Sequence, residues 1–199
     1  MKVIIVQGMA CLGKSSLCEK VIKHLENSIY LSVDKYKEKY WDEYGFNTPE
    51  EREHLSNKAK KLFCSELEDK IKSGSYDYIL VDYVFHDELW NELLNIIKET
   101  ILVKTVYMKP INIDEHKKCW NKRSKNFSIR HPGHGASCYH NGIGENYNNT
   151  YEDKIFSKLP TFGDTLNVKV YFEHKYKIIP DIKDIVTFLK DGDNNVKKL

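Results

Sequence analysis

An α/β fold, with a parallel sheet covered by helices on both faces, is the fold class this 199-residue chain predicts. Three observations carry that expectation. Short β-branched or aromatic runs alternate with amphipathic stretches along the chain, the pattern of strand and helix units around a parallel sheet. The first run, Val3-Ile4-Ile5-Val6, is apolar without alternation, as a strand buried on both faces must be. The turn after it is glycine-containing and opens directly into a helical period.

The elements follow in order. After the strand at Val3 to Val6, Leu17, Val21 and Leu25 recur at helical spacing from Ser15 onward. Ser28 to Val33 reads as a second strand ending at Asp34, and a charged, aromatic stretch from Lys35 to Phe46 follows. Thr48-Pro49-Glu50-Glu51 supplies an N-cap threonine, a proline at the first helical position and a capping-box glutamate. Leu55, Ala59, Leu62, Leu67 and Ile71 carry that helix forward, and Gly74 stops it. Tyr78 to Val81 gives a third strand ending at Asp82, and Leu89, Trp90, Leu93, Leu94 and Ile97 give the next helix its apolar face. Ile101 to Met108 reads as a fourth strand, with a helix from about Asn112 to Arg123 behind it. Lys125 to Asn149 is rich in glycine, asparagine and histidine without an apolar period, which predicts a long, mobile lid loop. Val168 to Phe172 is the fifth strand and Pro180 to Leu189 the closing helix. The expectation is a five-stranded parallel sheet in a three-layer single domain over 1–199, with a lid region at about 123–149.

Composition narrows the function classes. The 31 Lys and Arg balance 29 Asp and Glu to a net charge of +2, so no polycation points to bulk nucleic-acid or membrane binding. The cysteines Cys11, Cys18, Cys64, Cys119 and Cys138 are odd in number and scattered, and no apolar segment approaches the roughly 20 residues of a membrane span. A soluble chain in the reducing cytoplasm is expected. Arginine is confined to Arg52, Arg123 and Arg130, so the pair at 123 and 130 calls for a reason.

Gly8-Met9-Ala10-Cys11-Leu12-Gly13-Lys14-Ser15, followed by Ser16, fits the phosphate-loop pattern G-x-x-x-x-G-K-[ST]. The glycines let the backbone curl so that its N–H groups face phosphate oxygens, and the helix beginning near Ser15 adds its positive end. Lys14 is expected to reach the β- and γ-phosphates and the Ser15 hydroxyl to ligate Mg²⁺, with ATP or another nucleoside triphosphate as the donor. Cys11 inside the loop is either a redox handle or a small side chain that fits. Its position between strand and helix is the context expected of a nucleotide site, against the alternative of an ordinary glycine-rich turn.

No guanine-reading N-K-x-D motif is present, and large ATPases need more chain, which leaves a small kinase. Such an enzyme needs a group to orient the acceptor hydroxyl, a carboxylate near the metal, and cations for the transferring phosphoryl. Asp34 suits the first role and Asp82 the second, as a ligand to Mg²⁺ or its water or else as an acceptor contact; each could instead cap the helix after it. Arg123 and Arg130, flanking the lid entrance, suit the third, against the alternative of two solvated surface arginines. His131, His134, Cys138 and His140, with Cys119 before them, allow a zinc-bound lid, though a polar lid whose histidines contact phosphate, substrate or one another also fits. Tyr36, Tyr40, Trp41, Tyr44 and Phe46 could stack on an acceptor ring or pack against a helix.

On these residues the chain resembles the small P-loop kinases of the chloramphenicol phosphotransferase and zeta-toxin type, with polynucleotide kinase and adenylylsulfate kinase more distant. "SVD" at Asp34 is similar to the family's strand ending in its catalytic aspartate. "YILVDYVFHDELWNELL" resembles its third strand and following helix, and "VYMKPINIDEHKKCWNKRSKN" its fourth strand, helix and lid entrance. "TLNVKVYFEHKYKIIP" stands in place of the family's acidic strand and its sequel. The resemblance implies an ATP-dependent kinase of an alcohol, with Asp34 as base and Lys14, Arg123 and Arg130 on the phosphates. The acceptor is expected to be a small-molecule or nucleotide-like hydroxyl. A polynucleotide or modified-DNA 5′-hydroxyl is the alternative, with Lys35, Lys37 and Lys39 either tracking a strand or forming a solvated face. A nucleotide-binding regulator or toxin-like protein with little turnover is a third reading.

Overall fold

The computed structural model describes residues 1–97, 102–124, 126, 130–147, 159–172 and 176–191. The expected strand residue Ile101 and the expected lid positions 125, 127–129 and 148–149 lie outside the described residues. In chain order the elements are β1 (Lys2–Gly8), α1 (Lys14–Val21), β2 (Ser28–Ser32), α2 (Val33–Tyr44), α3 (Pro49–Ser73), β3 (Tyr78–Tyr83) and α4 (Asp87–Ile96). They continue with β4 (Leu102–Pro110), α5 (Ile113–Ser124), β5 (Cys138–His140), β6 (Ile143–Glu145), β7 (Asp164–Tyr171), β8 (Lys177–Ile179) and α6 (Ile182–Lys190).

The main sheet runs β2-β3-β1-β4-β7-β8. Its first five strands are mutually parallel, as expected, while β8 joins antiparallel to β7, so the sheet has six strands rather than five. The missed strand is three residues long and only partly buried, too short to show a period. Central β1 explains the layering. Ile4 and Val6 pack with Leu17, Cys18 and Val21 of α1 and Ile185 and Leu189 of α6. Val3 and Ile5 pack with Phe63 and Leu67 of α3 and Leu89 and Leu93 of α4. With a helix layer on each face, neither side of the strand can be polar, hence the unbroken apolar run.

Helix ends obey local chemistry. The Thr48 hydroxyl accepts from the Glu51 N–H at 3.2 Å, and α3 closes on Gly74 in the left-handed conformation. At the far end of α6, the buried Lys2 and Lys104 ammoniums donate to the otherwise unpaired carbonyls of Leu189 and Phe188 at 2.9 and 2.6 Å.

Two expectations are corrected. The stretch after Asp34 is the helix α2, which buries Val33 and Trp41, keeps Asp34, Lys37 and Glu38 partly buried and exposes Lys35, Lys39, Asp42 and Glu43. The expected lid is not structureless: β5 and β6 form a small antiparallel hairpin within it. Ala136 and Tyr139 from this region pack with Trp41, Phe46 and Leu55 in a third apolar cluster, and Phe46 and Tyr139 exchange backbone hydrogen bonds of 2.9 and 2.7 Å. Two scattered apolar residues leave no period to read. Among the described residues no helix is long and apolar enough to cross a membrane.

Phe46, 1% exposed, is the peg on which the hairpin hangs. Phe46→Ala should cost about 3–5 kcal/mol of unfolding free energy in urea titrations, and amide exchange at Tyr139 should accelerate with it.

Candidate active site

The phosphate loop occupies the carboxyl end of β1, the end of an open α/β sheet where ligands bind. Gly8 has a φ of 151°, and a Cβ there would meet the Met108 carbonyl oxygen at 2.6 Å, so only glycine fits between β1 and β4. Gly13, at φ 82°, is the N-cap of α1, whose first free N–H groups therefore open at the loop. Met9 and Leu12 point away from the ligand side and are buried in the core beneath. The buried His116 ring on α5 meets the Ala10 carbonyl at 2.7 Å, and the Tyr176 hydroxyl donates to the Leu12 carbonyl at 2.8 Å, so the loop is propped from outside.

Lys14 folds back over its own loop, its ammonium donating to the Gly8 and Met9 carbonyls at 3.0 and 2.9 Å. Burial pulls its pKa below the usual lysine value, against the attraction of the Asp82 and Asp34 carboxylates. Phosphate oxygens would give this desolvated cation the anionic partner it lacks in the loop. Beside it the Ser15 hydroxyl donates to Asp82 Oδ2 at 2.9 Å and the Tyr30 hydroxyl to Oδ1 at 2.8 Å. Burial and the neighbouring Asp82 charge push the Tyr30 phenol far above its ordinary value, so it remains a donor. The Asp82 carboxylate is 3% exposed as a residue, lies within β3 rather than after it, and pairs in register with Val6 of β1 and Ser32 of β2. A hydroxyl and a carboxylate in contact at the phosphate loop form an all-oxygen donor set that suits Mg²⁺, so the residues present fit that ion.

Asp34 sits in the first turn of α2, two residues beyond the end of β2 at Ser32, rather than at the strand end that the sequence predicts. It does not cap the helix, since Ser32 holds the N-cap position; instead its Oδ1 is 3.2 Å from the Lys37 ammonium. Burial would raise its pKa, but the Lys37 charge, with His134 and Lys14 behind it, holds the carboxyl well below the usual carboxylate range. Lys37 is no solvated lysine. Its side chain is 13% exposed, donates to the Tyr83 hydroxyl at 3.4 Å and lies 5.2 Å from the Trp41 and Tyr83 ring centroids. Although burial alone would lower its pKa, the Tyr83 and Asp34 oxygens drive it upward, so the pair is charged at neutral pH.

A cavity of about 440 Å³ joins these parts. Ala10, Cys11, Gly13, Lys14, Ser15 and Ser16 line one side, Asp34 and Asp82 the floor, and Arg123, Arg130, His131 and His134 the other side. Nearly the whole predicted set thus meets in one place, Gly8, Met9 and Leu12 serving the loop from outside the cavity. Arg123 comes from the last turn of α5 and Arg130 from the following segment. Two lid histidines close on α2: His131 Nε2 is 3.0 Å from Asp42 Oδ1 and His134 Nε2 is 2.9 Å from Glu38 Oε1. The Tyr139 hydroxyl donates to the same Asp42 oxygen. Among the described residues no group of three His, Cys, Asp or Glu side chains is arranged to hold a metal ion. The aromatic stretch divides: Trp41 and Phe46 are core, Tyr36 packs edge-on against Phe63 and donates to Glu66 at 2.7 Å, and Tyr44 is exposed.

Sequence reasoning overlooked Tyr30, Lys37, Glu38 and His116 as parts of this site. Lys37 and Glu38 had a signal in their i,i+3 and i,i+4 spacing from Asp34; Tyr30 and His116 touch the site only through the tertiary fold.

No known family model matches the chain, and no curated protein matches it in sequence. Solved structures do. A candidate kinase from Chloroflexus aurantiacus J-10-fl superposes with a TM-score of 0.67 at 18% identity, covering 95% of this chain and 96% of that one. A sugar kinase from Janibacter sp. HTCC2649 superposes with a TM-score of 0.51 at 10% identity, covering 96% of this chain and 92% of its own. The chain therefore shares the α/β fold of these two structures over nearly its whole length.

Burial pulls both His116 and His134 below the usual histidine pKa. As pH falls from about 7 to about 5 the unfolded chain takes up these protons before the folded one, so stability should decline across that window. The lowered carboxyls of Asp34 and Asp42 act only at more acid pH, where their contribution is lost. The melting temperature should drop between these pH values, and less steeply in His116→Gln.

Proposed function

We propose that this protein is an ATP-dependent kinase that transfers the γ-phosphoryl group to a hydroxyl of a small-molecule or nucleotide-like acceptor. The observation that carries the reading is the convergence of Lys14, Ser15, Asp82, Asp34, Arg123 and Arg130 on one cavity. Both solved relatives described above bear kinase descriptions, and the second acts on a sugar, which agrees with a hydroxyl acceptor.

The division of labour follows from the chemistry of each group. Backbone N–H groups of the loop and Lys14 hold the β- and γ-phosphates, exchanging two neutral carbonyls for anionic oxygens. Ser15 and Asp82 would hold Mg²⁺, which when bound neutralises charge building on the phosphate oxygens. Asp34 accepts a hydrogen bond from the acceptor hydroxyl and aims its oxygen at phosphorus. The new bond joins that oxygen to the γ-phosphorus, the bond to the bridging oxygen of ADP breaks, and the hydroxyl proton leaves past Asp34 to solvent. A carboxylate held as ionised as Asp34 is a weak base, so alignment is its larger contribution, which suffices for a loose transition state with late proton loss. Arg123 and Arg130 stabilise the equatorial oxygens and, with the histidines latched to α2, exclude water.

The polynucleotide alternative drew on Lys35, Lys37 and Lys39, and Lys37 is spent on Asp34, which leaves two exposed lysines. That weakens the case for a strand-tracking groove.

With γ-labelled ATP and a panel of nucleosides, nucleotides, nucleic-acid ends and hydroxylated metabolites, label should pass to one acceptor class. Asp34→Asn should reduce transfer by about a hundredfold or more, and Arg130→Ala by more than about tenfold with nucleotide affinity nearly intact. Unchanged transfer in Asp34→Asn would remove the assignment and favour a binding protein.

A further inference from the structure

A second groove, of about 390 Å³, opens beyond the Asp34–Lys37 pair and includes no residue of the phosphate loop. Lys37 and Trp41 of α2 form one wall, Arg52, Ser56 and Lys60 of α3 another, and His134, which also lines the first cavity, marks the passage between the two. Through Lys60 and Tyr83 it continues into a depression of about 320 Å³ beside His86. If the donor phosphates lie on the loop and Asp34 holds the reacting hydroxyl, this groove is where the rest of the acceptor lies.

Its chemistry is donor-rich and short of acceptors. Arg52 donates to a neutral oxygen, the Ala136 carbonyl at 2.7 Å, and Lys60 to another, Asn57 Oδ1 at 3.1 Å. Neither has a carboxylate within ion-pair distance among the described residues, although both are partly buried. Burial lowers the pKa of each, and the Lys37 charge lowers Lys60 further, against the attraction of Glu53 on both and of Glu88 and Glu92 on Lys60. Trp41, which lines the groove, is 2% exposed, and its indole Nε1 is buried with no hydrogen-bond partner among the described residues. A buried donor without an acceptor is a costly arrangement unless something supplies one. The carboxylates of the groove do not: Glu50 and Glu53 are exposed at its rim, and Glu50 interacts with Thr48 at the start of α3. The Tyr83 ring is already engaged, with the Lys37 ammonium 5.2 Å from its centroid and Phe85 in T-shaped contact at 5.8 Å.

We infer that the acceptor carries an oxyanion of its own, a phosphate or a carboxylate, which is held in this groove by Arg52, Lys60 and the Trp41 indole N–H while its hydroxyl reaches Asp34. The inference rests on the kinase reading for the role of the groove, and the anion site itself stands on the groove's own groups.

The chain has three tryptophans, so its indole N–H resonances can be followed individually, with Trp41 assigned by its loss in Trp41→Phe. Trp120 lines the phosphate-loop cavity and reports on that site instead. Protein saturated with a non-hydrolysable ATP analogue and Mg²⁺ is titrated with matched neutral and anionic compounds: glycerol, glycerate and glycerol phosphate; ribose and ribose 5-phosphate; a nucleoside and its 5′-monophosphate. Anionic members should move the Trp41 resonance and bind at least about thirtyfold more tightly than neutral partners, and Lys60→Gln should erase about tenfold or more of that preference. Comparing carboxylate with phosphate on the glycerol skeleton separates the two oxyanions. The inference is overturned if no anionic compound moves Trp41, if neutral partners bind as well, or if Lys60→Gln leaves the preference intact. Should label pass from ATP to neutral alcohols only, the kinase reading survives and this inference falls. Should anions bind at Trp41 while the ATP analogue leaves Trp120 unmoved and no label is transferred, the reverse holds.

Discussion

The Asp82 carboxylate is the constraint on which the site's geometry depends. One oxygen takes the Ser15 hydroxyl and the other the Tyr30 hydroxyl, so a single buried group ties together the start of α1, strand β2 and strand β3. Strand register makes this possible, because β3 lies between β1 and β2 and brings Val6, Asp82 and Ser32 level. Tyr30 and Asp82 then share the face on which α1 packs. Shifting β3 by one residue would turn Asp82 to the opposite helix layer and empty the place beside Ser15.

Around that clamp the molecule keeps two cations out of water by different means. Lys14 is desolvated over neutral carbonyls, with its pKa pulled down, whereas Lys37 is locked to Asp34 with its pKa driven up. The first arrangement favours exchange of partners, since an anion can improve on a carbonyl. The second favours permanence: Asp34 stays ionised and fixed, as suits a group that aligns an acceptor. The hairpin region is tethered by contacts between these extremes, the His131–Asp42 and His134–Glu38 pairs on α2 and the apolar peg of Phe46 against Tyr139. These tethers hold His131 and His134, which line the same cavity as Arg130 and the loop from Ala10 to Ser16.

How much of this was legible in the sequence depended on range. The turn from β1 into α1 was legible, because its requirements for glycine at two positive-φ positions and a lysine at the helix start are local ones, whereas the positive φ of Cys11 was not. The parallel sheet was legible from β1, whose two-sided burial leaves a run that alternation would have broken. α2 was obscured because it buries only Val33 and Trp41 and presents charged residues elsewhere, and with the helix unrecognised Lys37 could not be placed over Asp34. The β5–β6 hairpin and β8 have three residues per strand, fewer than a period of two needs to declare itself. Tyr30 and His116 act through partners 52 and 106 residues away, contacts that no local pattern encodes.

The central claim is that the loop from Gly8 to Ser16, with Lys14 released from its own carbonyls, is the seat of a nucleoside triphosphate. Amide hydrogen exchange with and without Mg²⁺ and a non-hydrolysable ATP analogue tests it most directly, because it reads the loop itself rather than turnover. New protection should concentrate in peptides covering Gly8 to Ser16 and around Arg123 and Arg130, and it should be lost in Lys14→Met. Protection confined to other segments, or none at saturating nucleotide, would contradict it.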